Sequence, residues 1–221
     1  MLKTIIYIFR LKKIPHLKWS SNQELNFKPK FITFFYLLFG LTLFGIGETL
    51  LVTANIGVSP WFVLHQGLSI KTGYSIGVTT FIVSICVLFF WIPLKQKPGI
   101  GTIMNAIIIS VVIDFSLPYL PNPNSIYYQI FQVIIGIFII GIGSGFYLIA
   151  NLGPGPRDGL MTGLQRKTNV SITLIRTFIE LSAVVIGFYL GGILGFGTIL
   201  YALGIGFSVS SGLYLVHKFF K

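Results

Sequence analysis

Two stretches decide the reading: Ala54–Trp61, ANIGVSPW, and Ala150–Arg157, ANLGPGPR, which continues as Asp158-Gly159. Each follows a long apolar run and sets Gly and Pro where a continuing helix needs an unbroken hydrogen-bond ladder, so each run must end or break there. The two stretches lie 96 residues apart, and sliding the chain over itself by that offset, without a gap, makes fourteen of the thirty-two positions from 45 to 76 identical to their mates. The matches run from Gly45 and Gly47 on Gly141 and Gly143, through Ala54, Asn55, Gly57 and Pro60, to Lys71, Thr72 and Ser75 on Lys167, Thr168 and Ser171. The same offset sets Gly99, Gly101 and Thr102 on Gly195, Gly197 and Thr198. Apolar composition alone does not keep such a register, and an internal duplication is expected.

Composition places the chain in a bilayer. It is 54% hydrophobic and 10% charged, with a mean hydropathy of +0.86, and lacks the charge a soluble surface of this size carries. The net charge of +11 would suit nucleic acid in a soluble protein. Here Lys3, Arg10, Lys12, Lys13, Lys18, Lys28 and Lys30 gather before the first long apolar run, and we read residues 1–30 as a basic cytoplasmic tail facing lipid headgroups, with no nucleic-acid partner. Met1–Phe9 is too short to span, and an interfacial helix and disorder both fit it. Cys86 is the only cysteine and excludes an internal disulfide.

A helix needs about 20 apolar residues to cross a hydrocarbon core of about 30 Å. Spans are predicted at 31–53, 75–94, 101–118, 127–149, 171–190 and 197–216. Two elements too short to cross, Pro60–Ser69 and Pro156–Arg166, read as re-entrant or interfacial half-helices with Pro in the first turn. Six spans with a cytoplasmic N-terminus put the tail, Lys95, Lys97, the loop with Arg157, Arg166 and Lys167, and Lys218 and Lys221 inside and leave only Lys71 outside. The fold class is therefore an all-α polytopic bundle: a membrane domain 31–221 holding repeat A at about 31–120 and repeat B at about 127–218. Three spans per repeat is an odd number, so the copies enter from opposite sides, as in transporters built from inverted repeats.

The acidic residues near the spans are few: Glu48, Asp114, Asp158 and Glu180. A charge at the bilayer centre costs about 2.5 to 3.5 kcal/mol on insertion scales, so each should face protein or water. Glu180 has Arg176 four residues earlier on one helix face, either as a self-neutralising anchor or as a charge pair lining a solute path. Glu48 has no cation nearby in sequence; it is either protonated or meets Arg176 or Arg157 across the repeats. Asp114 reads as a solvated or helix-terminal carboxylate. The glycines beside Arg157 and Asp158 offer backbone N–H groups at a half-helix start, which suits an anion. A tight cytoplasmic turn with Asp158 as cap is the other reading. Asn55 and Asn151 either satisfy freed backbone groups or hold a ligand. His65 reads as an interfacial histidine with a hydrogen bond, and the glycines of the later spans as helix packing. No nucleophile with a base, no GxSxG, no HExxH and no metal spacing is present, so no enzyme, cofactor or metal is expected.

The strings Ala54-Asn55-Ile56-Gly57-Val58-Ser59-Pro60-Trp61, Pro98-Gly99-Ile100-Gly101-Thr102 and Gly153-Pro154-Gly155-Pro156-Arg157-Asp158-Gly159, with Arg176 and Glu180, resemble the YczE/YyaS/YitT group of bacterial integral membrane proteins, above all its YczE type. The likeness covers nearly everything after the tail. One departure is Phe62, where the group's pattern leads one to expect Asp. The resemblance implies a bacterial plasma membrane. The reading that results is a small permease for a solute or ion, lined by Glu48, Asn55, Asn151, Arg157, Asp158, Arg176 and Glu180 and open to homodimerisation; a membrane-embedded regulator or assembly protein is the alternative.

Overall fold

The computed structural model describes residues 14–220, and the expected element at Met1–Phe9 lies outside them. Among the described residues there are eight helices and no strand: α1 (Phe31–Ala54), α2 (Pro60–Thr72), α3 (Ile76–Phe89), α4 (Ile100–Ser116), α5 (Ile126–Ala150), α6 (Pro156–Thr168), α7 (Ile172–Tyr189) and α8 (Phe196–Phe219). Four of them, α1, α5, α7 and α8, are long and apolar enough to cross a membrane. The α2–α3 pair passes the same test as one unit bent by 115° at its break.

The breaks fall where Gly and Pro set them. Asn55 and Asn151 close α1 and α5 in the left-handed region, with φ of 57° and 53°, and Gly57 and Gly153 follow at φ of 118° and 108°. Asparagine and glycine are the residues that accept such backbone at low cost. Pro60 and Pro156 then open two helices of 13 residues each. These outrun the expected half-helices by a few residues, to Gly73 and Asn169, both left-handed caps.

The second expected span is shorter than its apolar run. Helix α3 has 14 residues, about 21 Å of helix, and the chain goes on from Phe90 to Lys95 as turns. Pro93 has no N–H for a bond to residue 89 and its ring crowds the preceding turn, so helix does not continue through it. Helix α4, with 17 residues, is the shortest remaining apolar helix.

Helices α1 and α5 form the centre and run antiparallel. A Cβ on Gly40 would lie 2.7 Å from the Gly143 carbonyl, and one on Gly47 would lie 2.8 Å from that of Gly136. Only glycine allows backbones this close, and the approach buries both helices deeply. The two contacts exchange under the offset of 96. So do others: Gly45 against Val112 and Gly141 against Ser208, Gly101 N to Leu152 O and Gly197 N to Ile56 O, both 2.7 Å. The first turn of α4 thus clasps the break after α5, and the first turn of α8 clasps the break after α1.

One contact does not recur. Helix α3 lies along α4, held by Gly77 against Ser110, whereas its counterpart α7 leans on α2 and barely meets α8. Asp114 of α4 accepts from Gly77 N at 2.8 Å and from the Ser75 hydroxyl, so it caps α3 from the neighbouring helix.

The tail is not merely appended. Trp19 is buried, its indole N–H reaches Phe220 O at 2.7 Å, and its own carbonyl accepts from the Thr33 hydroxyl. Ser21 N donates to Ala150 O at 3.0 Å and Asn151 Nδ2 to Ser21 O at 2.8 Å, which seals the end of α5.

Candidate functional site

Because α1 and α5 are antiparallel, the helices that follow their breaks point their N-termini toward each other. Trp61 in the first turn of α2 and Arg157 in the first turn of α6 are mates under the offset of 96, and the guanidinium carbon lies 5.8 Å from the indole centre and 5.8 Å from the Phe44 ring. These separations suit cation–π contact. Both side chains border a cavity of about 240 Å³ whose lining includes Phe44, Trp61, Tyr147, Arg157, Asp158, Arg176, Glu180 and Tyr201. A smaller cleft of about 20 Å³ adjoins it, shared by Trp61 and Arg157 and bordered by His65, Thr80 and Asn105; it has room for about one water.

Four of the sequence candidates therefore share one cavity. Arg176 donates through Nε to Glu180 Oε1 at 2.9 Å, the only ion pair among the described residues, with side chains 55% and 28% exposed. Asp158 Oδ2 accepts from Tyr147 Oη at 2.8 Å, and that hydroxyl accepts from Gly155 N at 3.1 Å. Glu48 does not reach the lining. It is fully buried behind it, and the Ser59 hydroxyl sits 3.1 and 3.0 Å from its two oxygens.

Arg157 is the exception to this pairing. Among the described residues its guanidinium has no hydrogen bond and no ion pair, although the fields of Glu48 and Asp158 reach it. Trp61 is 6% exposed, and its Nε1 is a buried donor without a partner. Buried donors are nearly always satisfied, so an unsatisfied one beside a guanidinium held only by ring contacts leaves hydrogen-bonding capacity unmet at this cavity.

The other candidates stand elsewhere. Asn55 and Asn151 are left-handed C-caps of α1 and α5 outside the cavity; the Asn151 amide donates to Ser21 O, and Asn55 is exposed. His65 is buried at the edge of the smaller cleft, with Nδ1 3.1 Å from the Thr80 hydroxyl and its ring 4.8 Å from that of Phe62. Phe62 is the mate of Asp158, so the position that holds a carboxylate in the second segment holds a core ring in the first. Sequence reasoning passed over Phe44, Trp61, Tyr147 and Tyr201 as lining. It also passed over Gln132, whose Nε2 ties α5 to Leu50 O, Thr53 Oγ1 and Pro121 O at 3.0, 2.7 and 3.0 Å. Of these, only Trp61 carried a signal, as the mate of Arg157.

This arrangement, two helix starts facing each other over a cavity in an apolar bundle, can be set beside known proteins. The model of a family of unknown function, DUF6198, matches residues 31–211. The chain belongs to that family. It is 37% identical over 209 residues to an uncharacterised protein of Haemophilus influenzae, covering 95% of each chain. It is 33% identical to the uncharacterised membrane protein YczE of Bacillus subtilis, covering 77% of this chain and 80% of YczE. It is 27% identical to the uncharacterised protein YyaS of the same organism, covering 84% and 91%. No solved structure matches. The resemblance read from the motif strings is thus the family found, and the chain is a membrane protein.

Proposed function

We propose that the protein is a small secondary transporter of the bacterial plasma membrane, built as two inverted halves of three spans with both termini in the cytoplasm. One observation carries the proposal: Trp61 and Arg157, mates under the 96-residue offset, meet at the edge of a cavity that both broken segments help to line. Mates that meet lie at the axis relating the halves, and in inverted-repeat transporters the solute site lies there, at discontinuous helices. The antiparallel α1 and α5 support the inversion, and the basic residues support the orientation. The contact of α3 with α4 has no counterpart between α7 and α8, and alternating access needs an asymmetry between the halves.

Reconstituted in liposomes, the protein should move a solute, and Arg157→Gln should abolish that flux. No flux for any ion, amino acid or organic anion, together with unchanged cells carrying the Arg157 and Glu180 variants, would overturn the proposal. The alternative, a membrane regulator recruiting a soluble partner, would work through the basic tail, helped by Lys95, Lys97 and Arg166, which rim a second cavity of about 360 Å³ beside Glu24. Deleting residues 1–13 separates the two, since it spares the buried Leu17 and Trp19. A carrier keeps its flux after that deletion, and a regulator working through the basic tail loses its output.

A further inference from the structure

We infer that the cavity takes a small monocarboxylate with an apolar body, its carboxylate held by the Arg157 guanidinium and the Trp61 indole N–H. The inference rests on the carrier reading and names the class of its cargo.

The sign of the cargo follows from which polar groups already have hydrogen-bond partners. Three carboxylates stand in or behind the cavity, and each has a partner: Glu180 has Arg176, Asp158 has the Tyr147 hydroxyl and Glu48 has the Ser59 hydroxyl. The guanidinium of Arg157, with five donors in a fixed fork, has none among the described residues, and neither has the buried Trp61 Nε1. The unmet groups are donors, so they call for an acceptor. A carboxylate fits the fork with two parallel bonds.

The backbone adds to this. Helices α2 and α6, of 13 residues each, both begin at the cavity, and the first N–H groups of a helix have no partner within it. Two positive helix ends then face one volume. An amine would meet two repelling helix starts, and in the lining only Asp158, already hydrogen-bonded through Oδ2, stands without a paired cation.

The walls set the rest of the molecule. Phe44, Leu148, Met161, Ile205 and Val209 are apolar, and about 240 Å³ leaves room for a small hydrocarbon or aromatic group. With one free cation and apolar walls, a monoanion carrying such a group suits the cavity better than a hydrated dianionic phosphate.

The test is calorimetric titration of the purified full-length protein in lipid nanodiscs with acetate, hexanoate, benzoate, benzamide, benzylamine and inorganic phosphate. Hexanoate or benzoate should bind at least tenfold more tightly than benzamide, benzylamine and phosphate. Arg157→Gln should lower that affinity at least tenfold and Trp61→Phe severalfold. Glu48→Gln, which removes a neighbouring negative charge, should raise it, and Arg166→Gln at the far end of α6 should leave it unchanged. If Arg157→Gln does not fold, Arg157→Lys keeps the charge but loses the fork and should still weaken binding severalfold. Binding of benzylamine, benzamide or phosphate as tight as that of any carboxylate, no carboxylate binding at all, or unchanged affinity in the folded Arg157 variants would overturn the inference. Carboxylate binding without liposome uptake would sink the carrier reading and leave the site standing; uptake of cations or neutral solutes alone would do the reverse.

Discussion

Trp91 and Gly159 show at the level of single residues how the two halves differ while keeping one geometry. Trp91 is almost fully buried, its indole N–H reaches Pro156 O at 2.9 Å, and a Cβ on Gly159 would fall 2.0 Å from its ring. Under the 96-residue offset this pair becomes Gly187 against Val63, large and small exchanged. Trp91→Ala should empty the space over α6 and free the Pro156 carbonyl, at a cost of about 3 to 5 kcal/mol. A thermal melt in detergent should show a large drop, and an unchanged midpoint would mean the ring is not packed there. Charged residues were legible in the sequence because lipid makes each one expensive, which is why Arg157, Asp158, Arg176 and Glu180 could be singled out before the fold was known. The aromatic wall was not. Phenylalanine, tyrosine and tryptophan make up 15% of the chain, and no spacing marks Phe44 or Tyr201 off from the rings that face lipid.

Helix packing is governed by where glycines let backbones touch. Gly187 brings α7 onto α2 so closely that a Cβ there would lie 2.4 Å from Leu64 N, and Gly77 does the same for α3 on α4, 2.3 Å from Ser110 O. The mates of these two are Thr173 and Trp91, so this asymmetry is written into the residues. Gly187→Leu should push α7 away and destabilise by about 1 to 3 kcal/mol or more. Gly206→Leu, where a Cβ would meet nothing within 4 Å, should leave the melt unchanged or raise it, and equal loss in both variants would contradict this packing. Breaks and half-helices were readable because Gly and Pro act locally. The early end of α3 was harder to see, since hydropathy continues through Phe89, Phe90, Trp91 and Ile92 after helix has stopped. The fold of residues 16–21 over the end of α5 left no local mark, because Leu17 and Trp19 find their partners far along the chain, at positions such as Phe220.

For the whole molecule, the proposed carrier requires the two halves to lie in opposite senses across the lipid. Contacts that exchange under a single offset, an antiparallel central pair and a cavity where mates meet all follow from that arrangement. Lys71 and Lys167 are exposed mates near the outer ends of α2 and α6, so they should lie on opposite sides of the membrane. The direct measurement replaces Cys86 with serine, introduces Lys71→Cys or Lys167→Cys singly, and labels intact cells and then inverted vesicles with a thiol reagent that does not cross the bilayer. The predicted result is labelling of the Lys71→Cys protein only from outside and of the Lys167→Cys protein only from the cytoplasmic side. Labelling of both from the same side would contradict the inversion, and the carrier built on it.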